Sequence, residues 1–252
     1  MPAIKRIAHG EQASLVSHLG ELRSRIVASI GAFVVALGLC FWQNHMLLDF
    51  LRGPIGHKQL LTLGVAEPFT TTLTISAYAA LLLTLPVLLY QVYAFTIPAL
   101  APGQQRATRF LALLVPALFI AGAAFAFFVV VPAALQFLLH FNTDQFNTQL
   151  RAKEYYSFVT LTTLAVGAVF QVPVAILAIT RLGIVSVDQL RRVRRYAYVA
   201  CAALAAALPG VDPVSMLLET VPLIALYELS IVLARAFGSS PAAVPTPTGA
   251  TP

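Results

Sequence analysis

The sequence predicts an all-α membrane protein of six transmembrane helices, the last two short. Three observations predict it. Of 252 residues, 59% are hydrophobic and 10% charged, against about 45–50% and 25% in soluble domains. The apolar residues gather in runs near the ~20 residues that cross a bilayer. Lysine and arginine collect on alternate connections between those runs. A soluble core cannot hide this much apolar surface, so the solvent must be lipid.

The N-terminal stretch SLVSHLGELRSRIVASIGAF, Ser14 to Phe33, carries a charged helix into the first apolar run. At ~100° per residue, Leu15, Leu19, Leu22 and Ile26 fall on one arc, and Ser17, His18, Glu21, Ser24 and Arg25 on the other. Residues 1–25 therefore read as a cytoplasmic segment with an amphipathic helix at the membrane surface. Glu21 and Arg25 stand four apart in the favourable order. That suits a local salt bridge of ~0.3–0.5 kcal/mol, and it equally suits a carboxylate offered to an incoming cation.

Residues 26–237 form the membrane domain. Span one runs Ile26–Trp42. From Pro68 to Gln105 there is no charge, and the apolar part ends near Tyr93. Span three runs from Phe110 to about Val131, where Pro132 follows, and span four from Tyr155 to Thr180. YAYVACAALAAALPGV, Tyr196–Val211, is sixteen residues long. That is only about 24 Å of helix against a ~30 Å bilayer core. LPGVDP is a tight turn into span six, Pro213–Ala234, so the last two spans pair as a short hairpin. PAALQFLLHF, after span three, reads as an interfacial helix over the outer face. Residues 238–252 are rich in Pro, Ala, Ser and Thr and read as a disordered tail.

With the N-terminus inside, twelve of the sixteen Lys and Arg lie on inside segments and four outside. Five of the twelve sit in RLGIVSVDQLRRVRRY, between spans four and five. Both termini are thus cytoplasmic. The net charge of +6 describes loops at a membrane surface, and no basic run interleaved with aromatics suggests nucleic acid. Cys40 and Cys201 lie in apolar runs and read as free thiols. Small residues fail to follow the first run where a signal-peptidase site needs them.

Polar groups in lipid are the informative ones, at ~2.5–3.5 kcal/mol per charge on insertion scales. Glu228 in LYELSI suits a snorkelling carboxylate or a functional one. Glu219 lies nearer the outer end. Gln171 in FQVPVAI suits a bond between helices or a site. Asp212 before Pro213 suits a helix N-cap. Pro86, Pro98, Pro116, Pro132, Pro173 and Pro222 bend the spans, which favours a concave wall. There is no P-loop, G-x-G-x-x-G, H-E-x-x-H or G-x-S-x-G pattern. The five histidines are scattered, so neither catalysis, a cofactor nor a metal is expected.

Four blocks, in order, carry a resemblance. HLGELRSRI, LPVLLYQVYAFTIPAL, FQVPVAI and DPVSMLLETVPLIALYEL together resemble the TatC family, the multi-spanning receptor of the twin-arginine protein translocase. The similarity runs from about Leu15 to Phe237. The resemblance implies a glove-like bundle in the bacterial cytoplasmic (inner) membrane. It implies binding of twin-arginine signal peptides on exported proteins, assembly with single-span TatA- and TatB-type partners, possible self-association, and export driven by the proton-motive force. The signal-peptide face it implies holds Glu21, Gln104, Arg23, His18, Tyr93 and Phe95. The sequence departs from the family pattern twice. In PALAPGQQRATRF, Gln104 stands where the family places a second acidic acceptor, and Gln171 stands where Glu is frequent. Met216, Glu219, Tyr227 and Asp212 are the expected partner contacts. The competing reading is a small-solute secondary transporter with a midplane site at Gln171 and Glu228.

Overall fold

The computed structural model describes residues 15–56, 58–96, 105–145, 149–181, 183–210 and 212–237. The N-terminal 14 residues, Gln104 and the tail 238–252 lie outside the described residues. Among the described residues the fold is helical, and the single β-bridge, Leu61 with Arg151, belongs to no strand.

α1 spans Leu15–Trp42 without a break at residues 25–26, so the amphipathic stretch and the first span form one rod. α2 (Asn44–Leu51) and a 3₁₀ turn (Gly53–Ile55) lead to α3 (Glu67–Thr96), with Pro86 inside it. α4 (Gln105–Phe125) passes through a π segment (Ala126–Val130) into α5 (Val131–His140). α6 (Ala152–Val169) and α7 (Val172–Arg181) follow, then α8 (Val187–Arg192), α9 (Arg194–Ala207) and α10 (Pro213–Phe237). Five helical stretches are long and apolar enough to cross a membrane: Gly20–Trp42, Glu67–Val92, Leu113–His140, Ala152–Arg181 and Pro213–Ala236. The chain is a multi-pass membrane protein.

Three expectations need revision. Pro132 does not end the third span, because Leu113–His140 is one apolar helical run. The π segment loosens the bonding register just before the proline, so its ring escapes the clash with the preceding turn. PAALQFLLHF is therefore α5, the end of that span, and not a separate interfacial helix. Span four is two helices: the chain turns at Phe170–Gln171, and Pro173 cannot donate back to Val169. Only one of the two last spans is short: α9, with 14 residues, is about 21 Å long, while α10 contains the full-length apolar run Pro213–Ala236, because its apolar residues continue through Pro222 to the end of the helix.

The α9–α10 hairpin has a physical anchor. Thr162 Oγ1 donates to the Pro209 carbonyl at 2.8 Å. Thr162 lies ten residues beyond the start of α6, or about 15 Å along that helix. The α9–α10 turn is pinned there, well inside the end of the bundle that α2 and the start of α6 define.

Among the described residues three apolar clusters hold the bundle, one of them, around Cys40, Ala79 and Ala80, between α1 and α3. Near α2, the side chains of Leu51, Ile75, Phe127, Val131, Tyr155 and Val159 pack together. At the opposite end, Leu177, Leu190, Tyr227, Ile231 and Ala234 form the third. Lipid tails are as apolar as leucine, so close packing rather than water exclusion must drive these contacts. Small residues make them close: a Cβ on Gly122 would lie 2.5 Å from Phe170 Cγ, and one on Gly167 would lie 2.9 Å from Phe119 Cε2. At the α2 end, Leu61 N–H donates to Leu150 O at 2.9 Å and Ala152 N–H to Leu61 O at 2.8 Å. Arg151 bonds both oxygens of Glu67, at 2.8 and 3.3 Å. Glu67 in turn holds the Arg151 guanidinium above its ordinary pKa. These bonds tie the two connections at that end into one layer.

Gly122→Leu should lower the thermal unfolding midpoint in detergent, with an overpacking cost of about 1–3 kcal/mol. Adding Phe170→Ala should restore part of it. An unchanged midpoint for Gly122→Leu would show that the contact is not tight.

Candidate functional site

At the start of α1, Arg25 lies one turn past Glu21. Its Nε and Nη2 donate to Glu21 Oε1 at 3.0 and 2.5 Å, and its Nη1 donates to Gln91 Oε1 on α3 at 2.8 Å. The helix pair α1–α3 is thereby clamped by one guanidinium. Both Arg25 bonds fall on the same carboxylate oxygen, and among the described residues nothing donates to Glu21 Oε2. The Glu21 side chain is 38% exposed, so that oxygen faces an approach from outside the bundle. Arg23 is exposed on the same helix. His18 lies at the start of α1, and Tyr93 and Phe95 in the last turn of α3, just beyond Gln91.

Glu228 lies at this same end, between α9 and α10. Arg194 Nη2 donates to its Oε2 and the Tyr198 hydroxyl to its Oε1, both at 2.6 Å. Tyr227, next in the chain, donates its hydroxyl to the Leu190 carbonyl at 2.7 Å. The Tyr198 and Tyr227 rings meet edge to face, with centroids 6.3 Å apart. The carboxylate is thus a knot joining α9 to α10, and Tyr227 joins α8 to α10. α8 begins on a capping box in which Ser186 and Gln189 bond each other's backbone N–H at 3.2 and 2.8 Å.

Gln171 sits in the turn between α6 and α7. Its amide Nε2 donates to the Val115 carbonyl of α4 at 3.2 Å, and its Oε1 is buried without a partner. Of its two sequence readings, the geometry supports the bond between helices. Asp212 caps α10: Oδ1 accepts the Ser215 N–H at 2.8 Å and Oδ2 its hydroxyl at 2.6 Å. Glu219 follows on the same helix face, buried, with Oε1 unpartnered. Met216, one residue past Ser215, is half-buried. Cys40 and Cys201 are both free.

The structure therefore gathers Glu21, Arg25 and Gln91 at one place, and Glu228, Arg194 and Tyr198 at another. Sequence reading missed Gln91, Arg194 and Tyr198 as partners. Gln91 was findable, since it is the amide inside LPVLLYQVYAF, just before the apolar part of that run ends near Tyr93. Arg194 and Tyr198 stand four apart, which predicts one face, but nothing local says that Glu228 meets that face. Among the described residues, no three His, Cys, Asp or Glu side chains gather in a metal-binding group.

Apolar helices held together by interhelical polar bonds define a polytopic membrane protein. The comparisons with known proteins are more specific. The profile of the family described as "Sec-independent protein translocase protein (TatC)" matches residues 17–222. The protein of that name from Desulforapulum autotrophicum is 34% identical over 234 residues, 90% of this chain and 86% of its own. The chloroplastic protein of Arabidopsis thaliana is 35% identical, over 90% of this chain and 67% of its own. A crystal structure of a twin-arginine translocase receptor, TatC, superposes with a TM-score of 0.73 at 34% identity, covering 87% of this chain and 98% of that one. The chain belongs to the TatC family. It is a Tat-pathway protein-translocase subunit and not an enzyme.

Glu228→Ala should destabilise the protein more than Arg194→Ala. Tyr198 still holds the carboxylate once the arginine is gone, while among the described residues only Glu228 holds the guanidinium. A double-mutant cycle in detergent should return a coupling of about 0.5–1 kcal/mol for this half-exposed pair. Additive effects would mean the ion pair is idle.

Proposed function

We propose that this chain is the signal-peptide receptor of its translocase, binding consecutive arginines at the mouth where Glu21 lies. The observation that carries the reading is the free Oε2 of Glu21, beside an Oε1 already held by Arg25. A guanidinium arriving at Oε2 gains a charge-assisted bond. Arg25 has a second acceptor in Gln91, so it can yield part of the carboxylate without losing every partner. Gln104, which lies outside the described residues, has an amide carbonyl able to accept a hydrogen bond but carries no charge to pair. Glu21 therefore supplies the Coulombic part alone. Arg23, His18, Tyr93 and Phe95 are assigned to the same face by the sequence resemblance, the side chains of the last three lying outside the described residues.

The topology goes with this reading. The Glu21 mouth and the Arg194–Glu228 knot face the cytoplasm of a bacterium, with both termini there. α9 acts as a short fifth span, making six in all, and the bent helices form a glove-like hollow. The pinned α9–α10 turn leaves the bilayer locally thin. Single-span TatA- and TatB-type partners dock along this hairpin, with Met216 at the surface and Asp212, Glu219 and Tyr227 shaping the helix from behind. Export of folded cargo then draws on the proton-motive force. Support for a solute carrier is weaker, because Gln171 and Glu228 are already engaged in bonds that hold helices together.

Photocrosslinking of a twin-arginine signal peptide to membranes bearing the full chain tests this. Glu21→Gln should cut the yield about tenfold, the worth of one charge-assisted bond. Gln104→Glu should raise it. If Glu21→Gln crosslinks like the parent and only protein abundance changes, Glu21 is a helix-stabilising residue and the reading fails.

A further inference from the structure

A hollow of about 500 Å³ opens between α2, α3, α4 and α6, lined by mid-helix residues of α3 and α4 and reaching α2 at one end. Ala79, Phe119 and Phe127 form its buried wall, and the exposed side chains of Phe50, Leu83 and Phe128 flank its opening to the lipid. The Phe50 and Phe127 rings stack with centroids 4.7 Å apart. Its lining carries hydroxyls from Tyr78, Thr160 and Thr163. The two threonine hydroxyls are spent on their own helix, donating to Tyr156 O and Val159 O at 2.7 Å.

Three physical limits select the occupant. An extended peptide would bring amides that this wall cannot satisfy, at several kcal/mol each in lipid. A helix is too thick: three turns, ~16 Å long and ~10 Å across, fill roughly 1,300 Å³. A methylene takes roughly the ~30 Å³ of a water molecule, so the hollow holds a single chain of roughly sixteen carbons. The rim supplies the other half of an amphiphile. Arg52 follows Leu51, a lining residue, at the end of α2. Its Nη2 reaches only the Lys58 carbonyl, at 3.3 Å, and among the described residues it has no carboxylate within ion-pair distance.

We infer that this hollow is a specific phospholipid site, holding one acyl chain along α3 and α4 while Arg52 takes the lipid phosphate. The bound lipid completes the wall left open between α2, α3 and the π segment and stiffens the α2 end of the bundle. The site shares no residue with the Glu21 cluster and stands whether or not Glu21 binds arginine.

The test uses the full chain in vesicles containing a phosphatidylglycerol with a diazirine on its acyl chain, with crosslinks mapped by mass spectrometry. Labels should concentrate on Ala79, Phe119 and Thr163 and resist dilution by excess unlabelled lipid that clears the exposed faces of α1 and α10. Ala123→Trp, which fills the hollow, should reduce those labels to the level of the exposed faces, and Ala79→Leu provides a second filling variant should the first fail to fold. Arg52→Gln should weaken retention about fivefold, the worth of one cation near an anionic headgroup. Labels spread evenly over all lipid-facing helices, or unchanged in a folded filling variant, would overturn the proposal. So would a hollow labelled by a photoactivatable partner protein and never by lipid.

Discussion

Nothing in the hydrocarbon interior replaces a lost hydrogen bond, and the rest of this structure follows from that constraint. The side-chain hydroxyls show it first. Thr72, Thr84, Thr160, Thr163, Thr180, Thr220 and Ser230 all donate to the carbonyl four residues back, at 2.6–2.8 Å. Each hydroxyl is thereby satisfied inside its own helix, and the helix surface it leaves is effectively apolar. Several polar groups that are not satisfied locally become the ties between helices, while Thr71 Oγ1, Ser76 Oγ and Glu219 Oε1 stay buried without a partner.

Those ties are few and placed by depth. Arg25 with Gln91 joins α1 to α3, Gln171 with Val115 joins the α6–α7 turn to α4, and Arg194 and Tyr198 with Glu228 join α9 to α10. Thr162 with Pro209 sets how far the last hairpin reaches. Glycine and alanine contacts fill the space between, because close approach is the main attraction helices gain over lipid. A translocase subunit built this way has fixed walls. The start of α1 carries a carboxylate with an unspent oxygen, and the hollow beside α2 has no unspent threonine hydroxyl.

The irregular elements sit where the ties demand them. The chain breaks α6 from α7 at Phe170–Gln171, where Phe170 fills the space above Gly122 and Gln171 crosses to α4. The π segment carries the third span past Pro132 and turns Phe127 and Phe128 towards α2, their rings 5.1 Å apart. A straight pair of helices here would meet neither need.

Several features were readable in the sequence by itself. The helical membrane class, the weakness of the fifth span, the N-cap at Asp212 and the Glu21–Arg25 pair all depend on neighbours within a few residues or on composition. So do the motif blocks that placed the chain in its family. Tertiary structure alone decided the rest. It gave Arg25 a second partner in Gln91, gave Glu228 its arginine and tyrosine, ran the third span through Pro132, and left one oxygen of Glu21 open. Those outcomes turn on which helix face meets which, and periodicity along a chain that is apolar on nearly every side does not encode that choice. In lipid, a helix hydrophobic all round has no amphipathic stripe to declare its inward face. Only packing and the scattered polar ties select it.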